Sequence, residues 1–423
     1  MRGLPALLPV LSLALAQTVI PFWHTAGPPG DRVLEEAIRS FNAGQNAYRL
    51  EARYVGDYRE AGVKLLAALR SGRPPALFHA ELSFLPRLAK EGLALPLDAY
   101  LQDLPQDLYP APLKAGQVGG RTYGLPLGVS VPALYYNKDA YKAAGLDPEK
   151  APTTWPEVAL AAAKLKASGH KCPLTIAWQG WTQLESFSAW HNVEFATKQN
   201  GLGGMDARMR INTPLHVRHI ENLGNMAKQG LFVYKGRRNV PEPAFISGEC
   251  AMVTTSTGFY GNVKNNAKFN WGLSTLPYYP DVTGAPQNTV IGGASLWTLA
   301  GKKPDEYKGV AAFFNFISQP EIAARTHQET GYLPVTNAAF ALTEKSGFYK
   351  KNPGTDVGPN QMIRKVTDKS RGIRLGNYVQ IRDIEDEELE QVWAGKKSAK
   401  EALDSIVKRG NEQLERFEKA NKG

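Results

Sequence analysis

Cysteine is nearly absent from this chain of 423 residues, and only Cys172 and Cys250 occur, so no thiolate set has the spacing of a metal site. The seven histidines are dispersed, and the one close pair, His216 and His219, has no glutamate placed as in a zinc protease. There is no GxSxG elbow, and no glycine-rich phosphate loop ending in Lys-Ser/Thr. Local signatures of hydrolysis, metal chemistry and nucleotide binding are therefore missing. Beyond the first 16 residues no stretch approaches the ~20 apolar residues of a membrane span. Internal repeats, low-complexity runs and flexible linkers are also missing, so any lobes must be joined by several crossings rather than by one tether.

Charge excludes a further class. Lysine and arginine number 50 against 40 acidic residues, a balance that raises the local concentration of anions such as phosphorylated metabolites. The basic residues are scattered, with no stripe interleaved by aromatics, so nucleic acid is not expected as a partner.

What is present begins with MRGLPALLPVLSLALAQ, which has Arg2, an apolar run from Leu4 to Leu15, and small residues at Ala14 and Ala16. This reads as a cleavable signal peptide, residues 1–16, and predicts an extracytoplasmic, for instance periplasmic, location. No cysteine follows the cleavage site, so a lipid anchor is not indicated. In an oxidising compartment the even pair Cys172 and Cys250, each at the start of an expected strand, invites a disulfide. Two buried free thiols are the alternative.

Strands at 18–24, 48–54 and 76–81 alternate with helices, the signature of a sheet covered by helices. The organising stretch is YGLPLGVSVPALYYNKD (123–139), where valines and tyrosines favour extended backbone while Pro126 and Pro132 each remove a ladder donor. It reads as a hinge with a ligand-facing Ser130. Thr154–Glu157 and Ser398–Glu401 make capping boxes, strands are expected near 172–178, 250–256, 270–277 and 289–300, and the last 45 or so residues are nearly all helical. TGYLPV (330–335) reads as another crossing.

Several constellations carry chemistry. Trp178 and Trp181 straddle Gln179–Gly180 at the carboxyl end of a strand, where open α/β sheets place ligands; either ring is otherwise core. Ser256–Thr257–Gly258 lies between a strand and a helix, suited to an anion or only to capping the helix. Gly292–Gly293–Ala294–Ser295 interrupts a strand, as a bulge or a close approach does. Arg371, Arg374 and Arg382 suit phosphate, although such residues are commonly surface ions. The acidic run Asp383–Glu390 reads as the solvated start of a helix.

Longer stretches resemble a known family. IPFWH (20–24), VPALYYNKDAYKAAGLDPE (131–149), WQGWTQLESFSAW (178–190), APQNTVIGGASLW (285–297), HQETGYLPVT (327–336) and RLGNYVQIRDIEDEELEQVWAGKK (374–397) are similar to the periplasmic substrate-binding proteins of ABC importers, in particular to the branch that takes sn-glycerol-3-phosphate. The resemblance implies an α/β fold of the two-lobed type II periplasmic binding protein class, with three interlobe crossings and a helical C-terminus. It implies an N-terminal lobe of 17–129 plus 279–332 and a C-terminal lobe of 133–277 plus 336–423. The hinge then falls near 130–132, 277–278 and 332–335. Carried over residue by residue, the implied ligand set is Tyr58, Glu81, Ser130, Trp178, Trp181, Ser256, Gly293, Tyr332 and Arg382. Arg382 should meet phosphate, and Glu81 the glycerol hydroxyls. The implied ligands are sn-glycerol-3-phosphate and glycerophosphodiesters such as glycerophosphocholine, passed by a monomer to the permease subunits of an ABC importer, with no cofactor, metal or catalysis. An oligosaccharide binder of the same fold and a secreted glycerophosphodiester hydrolase are the rival readings.

Overall fold

The computed structural model describes residues 17–27, 30–81, 85–101 and 116–421; the expected signal peptide, 1–16, lies outside them. In chain order the strands among these residues are β1 (Thr18–His24), β2 (Tyr48–Tyr54), β3 (Leu77–Glu81), β4 (Ala94–Leu95), β5 (Gln117–Val118) and β6 (Arg121–Thr122). They continue with β7 (Gly124–Ser130), β8 (Pro132–Asn137), β9 (Cys172–Ile176), β10 (Cys250–Ser256), β11 (Trp271–Thr275) and β12 (Gly292–Leu299).

Two sheets organise two lobes. The first has the order β2-β1-β3-β12-β4, with β7 also paired to β12; β1 runs parallel to β2 and β3, while β12 is antiparallel to its neighbours. The second has the order β11-β8-β10-β9, parallel between β9 and β10 and antiparallel elsewhere. β5 and β6 form a separate hairpin. The first lobe buries Ile20, Phe22, Leu77 and Leu296 under Phe41, Phe313 and Phe314. β2 is less buried than its alternating pattern predicts: as the edge strand it buries only Leu50.

The second lobe is completed by the end of the chain. Helices Tyr378–Trp393 and Ala399–Asn421 put Tyr378, Ile381, Leu389, Val392, Leu403 and Ile406 into one cluster with Trp155, Leu174 and Ile220. Both capping boxes form: Glu157 and Thr154 bond each other's backbone, and so do Glu401 and Ser398. The histidine pair belongs to this core. His219 stacks on Phe187 with ring centroids 3.9 Å apart, and His216 lies 2.8 Å from the Ser188 hydroxyl.

Three passages connect the lobes, and they meet. Ser130 ends β7 in the first sheet and Pro132 starts β8 in the second. The second passage differs from the expected 277–278. Tyr279 is buried in the second lobe's core, the Trp190 indole donates to Leu276 O, and Gln287 N donates to Trp190 O, so the chain stays on that lobe until about Val290. The third runs past Leu333, whose N–H donates to Val129 O at 2.8 Å. Val129, Val131 and Leu333 form a small buried cluster with Ile291 and Val335, bringing all three passages together. After it, helix Asn337–Lys345 still packs on helix Pro320–Thr330 through Ala339, Ala323 and Ala324, so the first lobe's side extends beyond the expected 336. Three backbones crossing side by side explain Pro132, which needs no ladder donor where it begins a strand, whereas Pro126 lies within β7 opposite Ser295.

Cys172 and Cys250 are register partners on β9 and β10 and are joined by a disulfide across a sequence separation of 78. Closing a loop of that length restricts the unfolded chain by up to about 4 kcal/mol. Reduction, or a Cys172→Ala/Cys250→Ala variant, is therefore expected to lower the melting temperature while leaving the circular dichroism spectrum unchanged. An unaltered melting temperature after complete reduction contradicts this.

Candidate ligand-binding site

A cavity of about 330 Å³ lies between the lobes, and all nine residues named from the sequence line it. Tyr58 enters at the first turn of helix Tyr58–Arg70, which Asp57 caps by accepting from Glu60 N. Glu81 ends β3, Ser130 ends β7, and Ser256 ends β10. The two serines meet at the bottom of the cleft, Ser256 Oγ donating to Ser130 Oγ at 2.7 Å while accepting from Gly258 N. Gly293 has φ of 105° at the bulge where β12 slips against β7, and a Cβ there would lie 2.1 Å from Gly128 O, so only glycine fits. Tyr332 packs over Gly258, where a side chain would come within 2.5 Å of its ring.

The two tryptophans differ. Trp181 is buried, with its indole donating to Val290 O at 3.0 Å and its ring against Gly292, so it is a wall clamped between the second lobe and the second passage. Trp178 is only partly buried and has φ of 51°; its N–H donates at 2.8 Å to Arg238 O, and Arg238 itself has φ of 53°. Two non-glycine residues in the left-handed region, with their backbones bonded to each other, place local strain beside the cavity.

Arg382 is the electrostatic centre. Its Nε and Nη2 donate to the two oxygens of Glu185 at 2.8 and 3.0 Å, its Nη1 binds Glu81, and its guanidinium lies 4.8 Å from the Tyr378 ring centroid. Glu185, 1% exposed, ends a π-turn over Trp181–Glu185 that also seats Trp181. Burial opposes the charge of Arg382, but the Glu185 and Glu81 carboxylates outweigh it and hold the guanidinium ionised. Glu81 comes from the first lobe and Arg382 from the second, so this pair spans the cleft. A second pair spans it too, Arg238 Nη1 to Asp57 Oδ2 at 2.7 Å.

Sequence reasoning missed several of these groups. Glu185 lies in an ordinary helix-like stretch, and Asp57, Arg238 and Glu242 line the cavity without any local motif. The acidic run 383–390 is corrected by the structure: its helix begins at Tyr378, and the run is not a solvated start. Glu385 is buried against Gly180, Asp386 accepts from Gln179 at 2.9 Å, and Glu390 accepts from Arg237 at 2.7 Å. Burial and the charge of Glu185 push the Glu385 carboxyl well above the carboxylate range. The signal available was WQGW, whose glycine admits that carboxyl. Arg371 and Arg374 do not line the cavity: Arg371 pairs with Asp368, and Arg374 donates to Gln117 O. Arg382 is the member of the trio that enters it. Among the described residues no group of His, Cys, Asp and Glu has a metal-binding arrangement.

Residues 36–356 match the family model of the bacterial extracellular solute-binding proteins. The sn-glycerol-3-phosphate-binding periplasmic protein of Salmonella paratyphi A is 44% identical, over 99% of this chain and 98% of its own length. That of Escherichia coli O6:K15:H31 is also 44% identical, over 98% and 97%. Among solved structures, UgpB from Mycobacterium tuberculosis, in complex with glycerophosphocholine, superposes with a TM-score of 0.80 at 22% identity, over 95% of this chain and 99% of that one. The cyclic α-maltosyl-1,6-maltose binding protein from Arthrobacter globiformis superposes at 0.75 with 21% identity, over 95% and 100%. At such identities the two structures speak for the two-lobed fold alone.

The pairing of Arg382 has a consequence for stability that the sequence does not suggest. Removing the guanidinium strands Glu185, which is buried, so Arg382→Ala is expected to cost roughly 3 kcal/mol of folding stability. Arg382→Ala combined with Glu185→Gln should recover much of that loss. Urea denaturation of the two variants checks both statements, and equal stability of Arg382→Ala and wild type refutes them.

Proposed function

The chain belongs to the bacterial extracellular solute-binding proteins, and from that premise we propose that it captures sn-glycerol-3-phosphate or a glycerophosphodiester in the interlobe cavity and passes it to the permease subunits of an ABC importer. The work is done outside the cytoplasm, by a monomer exported on the 1–16 signal. The observation that carries the reading is one cavity of about 330 Å³ lined together by Arg382, Ser130, Ser256, Tyr332 and Trp178. That volume suits a small ligand. A guanidinium fork is matched in charge and geometry to phosphate, which favours the ester over an uncharged oligosaccharide.

The ion triad suggests how phosphate is received. Glu185 grips two of the three guanidinium nitrogens from behind, leaving Nη1, now bound to Glu81, as the position facing the ligand. Phosphate takes Nη1, and Glu81 turns to the glycerol hydroxyls, since two anions together in a desolvated cleft repel. Each charge-assisted bond to phosphate contributes roughly 1.5–3 kcal/mol. Trp178 supplies contact area to the alcohol side, and cation–π attraction of about 0.5–2 kcal/mol where that side carries choline. Closure is a rigid-body rotation about the shared cluster of Val129, Val131, Ile291 and Leu333.

Calorimetric titration with the monoester, its choline diester and maltose tests the reading. Both phosphate esters are expected to bind and maltose is not. Arg382→Lys should weaken both esters at least tenfold, and Trp178→Ala should weaken the choline diester at least as much as the monoester. Maltose binding in preference to the esters overturns the reading, and a release of glycerol phosphate from the diester identifies a hydrolase instead. Small-angle scattering should show a smaller radius of gyration with saturating ester; an unchanged radius counts against closure.

A further inference from the structure

Glu242 is a charged group of the cavity that the ion pairs leave unused. It starts the short helix Glu242–Ile246, just after Pro241, and it lines the cavity with Trp178, Ser256, Phe259 and Tyr332. Asp57 and Glu81 each hold a guanidinium, whereas Glu242 is bound by neutral donors. Its Oε1 accepts from Thr255 Oγ1 at 2.7 Å, and the Trp178 side chain is its second hydrogen-bonding neighbour. No lysine or arginine forms an ion pair with it among the described residues. Burial pushes its carboxyl up to about 7, against those two hydrogen bonds, which favour the charged form.

Its place in the cavity follows from what it touches. Tyr332 senses the charge of Glu242, while Tyr58 senses Tyr332, Glu81 and Arg382. The Trp178 side chain that bonds Glu242 is the one the reading above gives to the alcohol, so Glu242 lies on that side of the cavity, whereas Arg382 is bound by Glu185 and Glu81. Tyr135 on β8 also feels the charge of Glu242, and the other charged groups lining the same cavity are Asp57, Arg59, Glu81, Arg238, Arg382, Asp383 and Asp386.

We propose that Glu242 reads the alcohol end of the phosphate ester and sets selectivity by its protonation state. This role rests on the phosphate-ester reading given above. Toward an uncharged alcohol the side chain takes a proton from solvent onto a carboxylate oxygen and donates a hydrogen bond to a ligand hydroxyl. Toward a cationic alcohol it gives its proton to solvent and stays as the counter-charge. The same cavity thus accepts both, at opposite cost in protons.

The test uses two diesters with no group titrating near neutrality, glycerophosphoglycerol and glycerophosphocholine. Each is titrated calorimetrically into the wild-type protein at pH 7 in two buffers of different ionisation enthalpy. Proton uptake is expected with the first ester and release with the second, and Glu242→Gln should abolish both. The glutamine still accepts from Thr255, and the variant should shift preference away from the choline ester by about tenfold. Thr255→Val provides an independent check: losing a donor to the charged form, it should take up fewer protons with the first ester and release more with the second. Buffer-independent heats for both esters, or a Glu242→Gln variant that matches wild type, overturn the role. If neither ester binds wild type, the reading of the site falls, and this role with it.

Discussion

A guanidinium placed where two lobes face each other has to be compensated from both sides. Arg382 meets that requirement through Glu185 on its own lobe and Glu81 on the other. Much of the local architecture follows from the need to bring these groups together. The π-turn over Trp181–Glu185 delivers Glu185 and Trp181 from one turn of chain. Gly180 makes room for Glu385, whose carboxyl is pushed well above the carboxylate range by burial and by the charge of Glu185. β3 ends on Glu81, and so the first lobe's sheet presents a carboxylate to the cleft. Buried ion pairs are weak evidence for stability, because desolvation opposes them. Here the set is better understood as keeping one cation ionised and aimed.

The same economy governs the bottom of the cavity. Ser130 and Ser256 come from strands in different sheets and share a hydrogen bond, so the floor is made by the first passage itself. Gly293 and Gly128 are juxtaposed because two passages cross without space for a side chain between them. Any ligand resting on this floor touches the segments that must rotate when the lobes move, which couples occupancy to closure without a relay.

What the sequence showed depended on how local the cause was. The crossing at 130–132 was legible because prolines and valines act on their own backbone, and both capping boxes were legible because their partners are three residues apart. The position of the second passage was not, since Trp190 and Tyr279 hold the chain on the second lobe through contacts over 80 residues apart. The acidic run looked solvated because nothing nearby shows that Gly180 and Gln179 pack on it from 200 residues upstream. Glu242, Asp57 and Arg238 were illegible for the same reason: each is an unremarkable polar residue until the fold brings distant segments against it. The nine residues named from the resemblance do come together around one cavity. The partner that dominates Arg382, Glu185, was not among them.

The packing of the two C-terminal helices into the second lobe sets an order of events for a chain made from its N-terminus. Leu174 and Trp155 are synthesised more than 200 residues before Ile381 and Leu389, which cover them. The second sheet therefore exists for much of synthesis as an apolar surface without its lid. Neither it nor the Arg382 triad can be finished until the last fifty residues emerge. Truncations near the end should thus behave as folding-incompetent chains rather than as proteins with a trimmed tail.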